Sequence, residues 1–156
     1  MSSTELQVGM PAPLFTLPGF DNEPVSLESF RGQGVILYFY PKDNTAGCTT
    51  EALGFRARKD DFAALGYTII GISRDSVKTH CGFRDRQDLN FLLLSDKEEV
   101  ACKLYDVIKE KMMCGKKCMG IERSTFVISP EGNLTHILRG VKAKTHVEEL
   151  YELLQK

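Results

Sequence analysis

The chain reads as an α/β protein: a central mixed β-sheet flanked by helices, entered through an N-terminal β-hairpin. Three observations carry that expectation. Residues 35–40 (Val-Ile-Leu-Tyr-Phe-Tyr) and 67–72 (Tyr-Thr-Ile-Ile-Gly-Ile) are short, mainly apolar runs, as in strands buried on both faces. The segments between such runs carry apolar residues at helical spacing, the pattern of helices laid on a sheet. The remaining runs come in close pairs separated by Pro, Gly and Asn, the pattern of hairpins.

In order along the chain, Phe15-Thr16-Leu17 and Val25-Ser26-Leu27 flank a turn-rich stretch, residues 18–24, and form the hairpin. Residues 35–40 form the first central strand. A helix follows from Cys48, with Ala52, Phe55, Phe62 and Leu65 on one side, and stops at Gly66. Residues 67–72 form a second buried strand. A helix over 76–87 is opened by Asp75 or Ser73 as its cap. Residues 91–94 make a short strand, and 98–107 a helix. Residues 109–120, rich in lysine, read as a basic loop. Residues 124–128 and 134–138 pair across Ser129-Pro130-Glu131-Gly132-Asn133. Residues 145–155 close the chain as an amphipathic helix with Val147, Leu150, Leu153 and Leu154 inward. Strands alternating with helices in this order imply a sheet covered on both faces. Functional sites on such sheets gather outside the carboxyl ends of the strands.

The 156 residues fit one domain, 1–156. Lysine and arginine number 20 against 21 acidic residues, so no electrostatic footprint points to nucleic acid or to an anionic membrane. The N-terminus lacks a basic region followed by an apolar stretch, and no apolar run is long enough to span a bilayer. A soluble cytoplasmic protein is the expectation. Its five cysteines then call for catalysis, redox sensing, metal binding or core packing rather than a disulfide framework.

Cys48 stands out among them. A buried strand ends, the turn Pro41-Lys42-Asp43-Asn44-Thr45-Ala46-Gly47 follows, and Cys48 opens a helix. Free backbone N–H groups and the positive end of the helix dipole both favour a thiolate there, the reactive form. The Thr45 hydroxyl lies three residues upstream, within reach of the same spot. The local design is that of an activated nucleophile.

Pro41-x-x-x-Thr45-x-x-Cys48 resembles the active-site signature of the peroxiredoxins. Tyr38-Phe39-Tyr40-Pro41-Lys42-Asp43, Gly47-Cys48-Thr49-Thr50-Glu51, Gly71-Ile72-Ser73 and Gly120-Ile121-Glu122-Arg123-Ser124-Thr125-Phe126 sharpen the likeness to the bacterioferritin-comigratory-protein, or PrxQ, subfamily. The resemblance runs from about Val8 to Leu154. It implies a thioredoxin-like fold and a thiol peroxidase, monomeric or weakly dimeric, with no cofactor and no metal. Hydroperoxides would be its substrates, and thioredoxin or a similar dithiol its reductant. By motif position Cys48 is the peroxidatic cysteine, Thr45 bonds thiolate and peroxide, and Pro41 shields the thiolate. Arg123 pairs with Cys48, and Glu51 orients the arginine. The chemistry is coherent: a thiolate attacks along the O–O bond, and donors are needed as negative charge grows on the leaving oxygen. The resulting sulfenic acid is open to trapping by a second thiol.

The chain departs from the subfamily at the second thiol. Many members place the resolving cysteine five residues after the peroxidatic one, where this chain has Leu53; others place it where this chain has Arg84. Cys81 lies almost one helical turn before Arg84 on the same face, and is the first candidate for the resolving cysteine. Cys114 and Cys118, in the basic loop that runs into Arg123, are the alternatives. A Cys48–Cys81 disulfide would need the first turn around Cys48 to unwind, alone or together with part of the Cys81 helix, since bridged Cα atoms lie about 4.4–6.8 Å apart. Gly82, beside Cys81, weakens its helix. With no resolving partner the protein would run a one-cysteine cycle.

Other readings remain open at this level. Thiol–disulfide oxidoreductases usually carry Cys-x-x-Cys at this helix start, and Glu51 stands in the second position. Cys114 and Cys118 could instead form a redox or zinc sensor with a third ligand. Cys102 fits the core, Met112-Met113 fits packing, and His80, His136 and His146 read as surface or helix-cap residues.

Overall fold

The computed structural model describes residues 6–113 and 115–155. The chain enters through an antiparallel hairpin of β1 (Thr16–Pro18) and β2 (Pro24–Ser26), in the register Leu17↔Val25. A 3-10 turn at Leu27–Phe30 leads into β3 (Gly34–Phe39), every residue of which is buried. Then come α1 (Ala46–Ala64), β4 (Tyr67–Ser73), α2 (Val77–Gln87), β5 (Leu92–Ser95) and α3 (Val100–Leu104). A second hairpin, β6 (Ile108–Met113) with β7 (Lys116–Ile121), precedes β8 (Ser124–Ile128), β9 (Leu134–Arg139) and α4 (His146–Leu154).

Five strands form the central sheet in the order β5-β4-β3-β8-β9. β3 pairs parallel with β4 and antiparallel with β8, so it is the strand at which the direction of pairing changes. Its alternating side chains found two cores. Val35, Leu37 and Phe39 pack with Tyr105, Phe126 and the N-terminal hairpin's Leu17. Ile36 and Tyr38, followed by Tyr40, pack on the other face with Phe55, Phe62, Phe83, Val147 and Leu150 from α1, α2 and α4. This is the mixed sheet, flanked by helices and preceded by a hairpin, that the sequence predicts.

Gly71 shows how tightly β4 meets its neighbours. A Cβ there would lie 2.8 Å from Leu93 Cδ2 and 2.9 Å from the Tyr38 ring. Gly71→Ala is therefore expected to destabilise the fold by about 1–3 kcal/mol through overpacking. A shift of the urea midpoint at unchanged m-value would report it.

Several elements differ from the sequence expectation. The 109–120 stretch is an antiparallel hairpin, not a loop: its backbone groups pair from Ile108↔Ile121 to Met113↔Lys116, and Gly115 takes the turn at φ 79°. Charge marked it as solvated, and a solvated hairpin is as compatible with lysine as a loop is. Met112 is 65% exposed there and packs no core. The helix expected over 98–107 shortens to α3, because Asp106 turns out at φ 53° and the Asp96 carboxylate accepts from the N–H groups of Val100 and Cys102 at 2.8 Å each. The cap of α2 is Ser76, whose hydroxyl accepts from Thr79 N at 3.2 Å; Ser73 and Asp75 bond one another instead. Leu65 is exposed, beyond the end of α1, and Leu153 and Leu154 are only half-buried. His80 and His146 are buried rather than superficial, each held by hydrogen bonds described below.

Candidate active site

The topology builds the site before any side chain is considered. β3 ends at Phe39, the chain turns through residues 40–45, and α1 starts at Ala46. β8 runs antiparallel to β3 with Phe39 opposite Ser124, so Arg123 enters beside the carboxyl end of β3. Two segments far apart in sequence thus meet at one edge of the sheet, where parallel strands on one side give way to antiparallel strands on the other.

Cys48 is the third residue of α1, and its N–H is one of those with no intrahelical acceptor. Its side chain is only 2% exposed and belongs to the core of Tyr38, Tyr40 and Phe55. Arg123 Nη2 donates to Cys48 Sγ at 3.5 Å, while Nη1 donates to Glu51 Oε1 at 2.6 Å. Glu51 lies three residues beyond Cys48, almost one helical turn, so one guanidinium spans both groups. Gly47 leaves room for it: a Cβ there would approach Arg123 Nη2 to 3.2 Å.

Burial shapes the charges. It pushes the Glu51 carboxyl up to about 7, against the pull of Arg123. Burial also works against the Arg123 charge, but Glu51 and the Cys48 sulfur outweigh it and leave the guanidinium more firmly protonated than usual. Tyr38 is held neutral, its pKa raised by burial first and then by Glu51 and Cys48. Among the described residues, Glu51 Oε2 and the Tyr38 hydroxyl are buried without a hydrogen-bond partner. The Thr45 hydroxyl is exposed and donates to the Lys42 carbonyl at 2.9 Å, which leaves its lone pairs free. Pro41 is half-buried in the same turn.

The other cysteines divide by environment. Cys102 is fully buried, and burial followed by the Asp96 carboxylate raises its pKa, so it is an inert core thiol. Cys81 is half-buried on α2, its Sγ donating to the Phe20 carbonyl at 3.1 Å. Arg84 stacks over the Phe20 ring at 4.4 Å, so the first hairpin's turn rests on α2 through one aromatic residue. Cys118 is half-buried on β7, five residues before Arg123 in the chain. Cys114 lies outside the described residues.

Sequence reasoning missed a buried polar network beside the site. Asp43, 3% exposed, accepts from the Tyr40 hydroxyl at 2.5 Å and meets His80 Nδ1 at 2.6 Å. His80 Nε2 donates to the Leu94 carbonyl at 3.0 Å. Asp43 N donates to Asp75 Oδ2 at 2.8 Å. The donor atoms of Asp43, Asp75 and His80 lie within 4.8 Å of one another, a spacing metal ligands share, but the direct Asp43–His80 bond already joins two of them. The available signal was His80 three residues before Phe83, on the buried side of its helix. The second buried histidine, His146, bonds Thr125 Oγ1 at 2.7 Å, and burial lowers its pKa to about 4.

A cysteine sulfur under a guanidinium at a helix start, on the carboxyl edge of a mixed sheet, is the equipment of a thiol peroxidase. Comparison with known proteins agrees. A model of the AhpC/TSA family matches residues 8–137. Peroxiredoxin Bcp of Bacillus subtilis is 46% identical over 150 residues, 96% of each chain. Peroxiredoxin Bcp of Xanthomonas campestris is 44% identical over 154 residues, 97% of this chain and 96% of its own. Among solved structures, a cysteine variant of Xylella fastidiosa PrxQ superposes with TM-score 0.91 at 38% identity, covering 98% of both chains. The Xanthomonas campestris bacterioferritin comigratory protein, solved in a study of its alkyl peroxide reduction, does so with TM-score 0.88 at 40% identity, over 96% of this chain and 98% of that one. The chain belongs to the AhpC/TSA family, among the Bcp/PrxQ peroxiredoxins: it has their thioredoxin-like fold and is a thiol-dependent peroxidase.

Proposed function

We propose that the chain reduces hydrogen peroxide and small organic hydroperoxides through Cys48, with Cys81 as the resolving cysteine and thioredoxin or a similar dithiol as the reductant. The observation that carries this reading is the Arg123 guanidinium bridging Cys48 Sγ at 3.5 Å and the buried Glu51 carboxylate at 2.6 Å. The Cys48 thiolate attacks the nearer peroxide oxygen; an S–O bond forms and the O–O bond breaks. Arg123 and the free N–H groups of the first turn of α1 stabilise the charge on the oxygens. The Thr45 hydroxyl accepts the peroxide's proton in a hydrogen bond, and Pro41 walls the turn against water. The departing oxygen leaves as water or alcohol after taking a proton.

Cys48 is left as a sulfenic acid. The Cys81 thiolate attacks that sulfur, a disulfide forms, and hydroxide leaves to become water. Two electrons from an external dithiol then restore both thiols. The Cys81 thiol is half-buried and, among the described residues, is held by one hydrogen bond, to the Phe20 carbonyl, which supports its release. The whole chain, 1–156, acts in this reading as one domain and as a monomer in the cytoplasm. No described helix is long and apolar enough to cross a membrane.

The test is to treat fully reduced protein with one equivalent of hydrogen peroxide, block free thiols, and map disulfides by peptide mass spectrometry. A Cys48–Cys81 link is expected. A link to Cys114 or Cys118 would move resolution to the 108–121 hairpin. Sulfenic or sulfinic Cys48 with no link would establish a one-cysteine cycle. An unmodified Cys48 would overturn its assignment as the reacting residue.

A further inference from the structure

We infer that the buried Asp43–His80 pair is a leash that keeps Cys48 within reach of Cys81 while the first turn of α1 unwinds, making both members positioning residues for disulfide formation. The inference rests on Cys81 as the resolving cysteine.

The geometry is that of a cross-link between the turn that leads to Cys48 and the helix that carries Cys81. Asp43 lies in the turn that frames Cys48, five residues before it; His80 is the immediate neighbour of Cys81 on α2. Their contact is 2.6 Å, with side chains only 1% and 0% exposed. His80 Nε2 faces only a carbonyl oxygen, at 3.0 Å, so it carries a hydrogen. Nδ1 faces a carboxylate, so a proton also lies between it and Asp43 Oδ2. The pair is hydrogen-bonded and excluded from water, so removing one partner leaves the other buried and unsatisfied.

Both sides of the pair are anchored independently of α1. The Tyr40 hydroxyl donates to the other carboxylate oxygen, Tyr40 N donates to Ile72 O at 3.1 Å, and Asp43 N donates to Asp75. His80 is tied to β5 through Leu94. None of these bonds involves the first turn of α1, so that turn can open without loosening them. Residues beyond the pair are held more lightly: the Thr45 hydroxyl is bonded only to Lys42 O, and Asn44 meets Arg86 at an exposed site.

The consequence is a shorter loop to close. Along the chain Cys48 and Cys81 are separated by about 33 residues. Through the pair the path is the five residues from Asp43 to Cys48, the two side chains, and the single step from His80 to Cys81. Fully extended, five residues span about 17–18 Å, which caps the excursion of Cys48 from the leash. Without the pair, the Asp43 N–Asp75 bond still ties the turn to the start of α2, a path of about 12 units against about 8, so loop-closure scaling puts the pair's gain in effective concentration at about 2-fold.

The pair does not touch the reacting sulfur, so its loss should alter the fate of the sulfenic acid and not its formation. In His80→Phe, Cys48 oxidation by hydrogen peroxide is expected at the wild-type rate. Cys48–Cys81 formation should be about 2-fold slower, and sulfinic Cys48 correspondingly more abundant at a fixed peroxide excess. The double variant Asp43→Ala/His80→Phe leaves no unpaired buried charge. It should show the same partition, and it guards against misfolding of the single variant. Asp43→Asn should restore much of the rate: its amide can donate to Nδ1 of a neutral His80 and still accept from Tyr40. A double variant that oxidises normally and forms the disulfide at the wild-type rate would overturn the leash. A wild-type protein that forms no Cys48–Cys81 disulfide, and matches Cys81→Ser in every step, would instead overturn the resolving-cysteine reading and the leash with it.

Discussion

Arg123→Ala is expected to slow the oxidation of Cys48 by hydrogen peroxide about 10²–10³-fold, the usual cost of losing one donor to a developing oxyanion. The guanidinium serves two acceptors at once, Cys48 Sγ at 3.5 Å and Glu51 Oε1 at 2.6 Å. Removing it takes a cation from the nucleophile and from the breaking O–O bond together. It also strands Glu51, a carboxyl with no exposed surface, beside a sulfur that must become negative. Losing one partner of a buried pair typically costs about 3–5 kcal/mol, and here part of that is escaped by protonating Glu51. Arg123→Lys should recover only part of the rate, because a point ammonium cannot fork between two acceptors. With no tryptophan in the chain, quenched-flow thiol titration is the suitable readout. A folded Arg123→Ala variant with the wild-type rate would remove Arg123 from the reacting centre.

The same residue shows how far the sequence could be read. Cys48 was legible from local physics alone: an apolar run, a Pro- and Gly-containing turn and a helix start place a thiol among free N–H groups. Arg123 was legible only by resemblance to a known family, since nothing local says that residue 123 meets residue 48. The structure supplies the reason in the antiparallel register of β3 and β8, with Phe39 opposite Ser124. The mixed sheet and the succession of its strands along the chain were legible from apolar runs and their spacing. The hairpin of β6 and β7 did not, because backbone pairing there is masked by a run of lysines. His80 was misread for a related cause: a polar residue on a mixed helix looks superficial until its partners are known. Those partners, Asp43 and the Leu94 carbonyl, come from a turn and from another strand. Cys81 lies beside them, and its contact with Phe20 reaches back 61 residues. Local pattern carries such information poorly, whereas a strand buried on both faces announces itself as an unbroken apolar run.

Glu51 should make the protein measurably less stable as the pH rises from acid to neutral. In the unfolded chain its carboxyl ionises near 4.5; in the fold, burial delays this to about 7. Between those values the folded state holds a proton that the unfolded state has released, so raising the pH favours unfolding. The stabilisation is fully present below about 4.5 and is lost as the pH climbs through about 7, a change of about 3 kcal/mol from this one group. Glu51→Gln keeps an oxygen to accept from Arg123 but cannot ionise. Its denaturant midpoints at pH 5 and pH 8 should therefore differ by less than those of the parent, with the other titrating groups common to both. Two forces compete at this carboxyl, burial and the Arg123 contact at 2.6 Å, and the experiment decides between them. Equal pH slopes in the two proteins would mean that the arginine wins and Glu51 is ionised throughout. A flatter slope in the variant would mean that burial wins, and that the folded enzyme holds a proton one helical turn from Cys48 until the pH climbs through about 7.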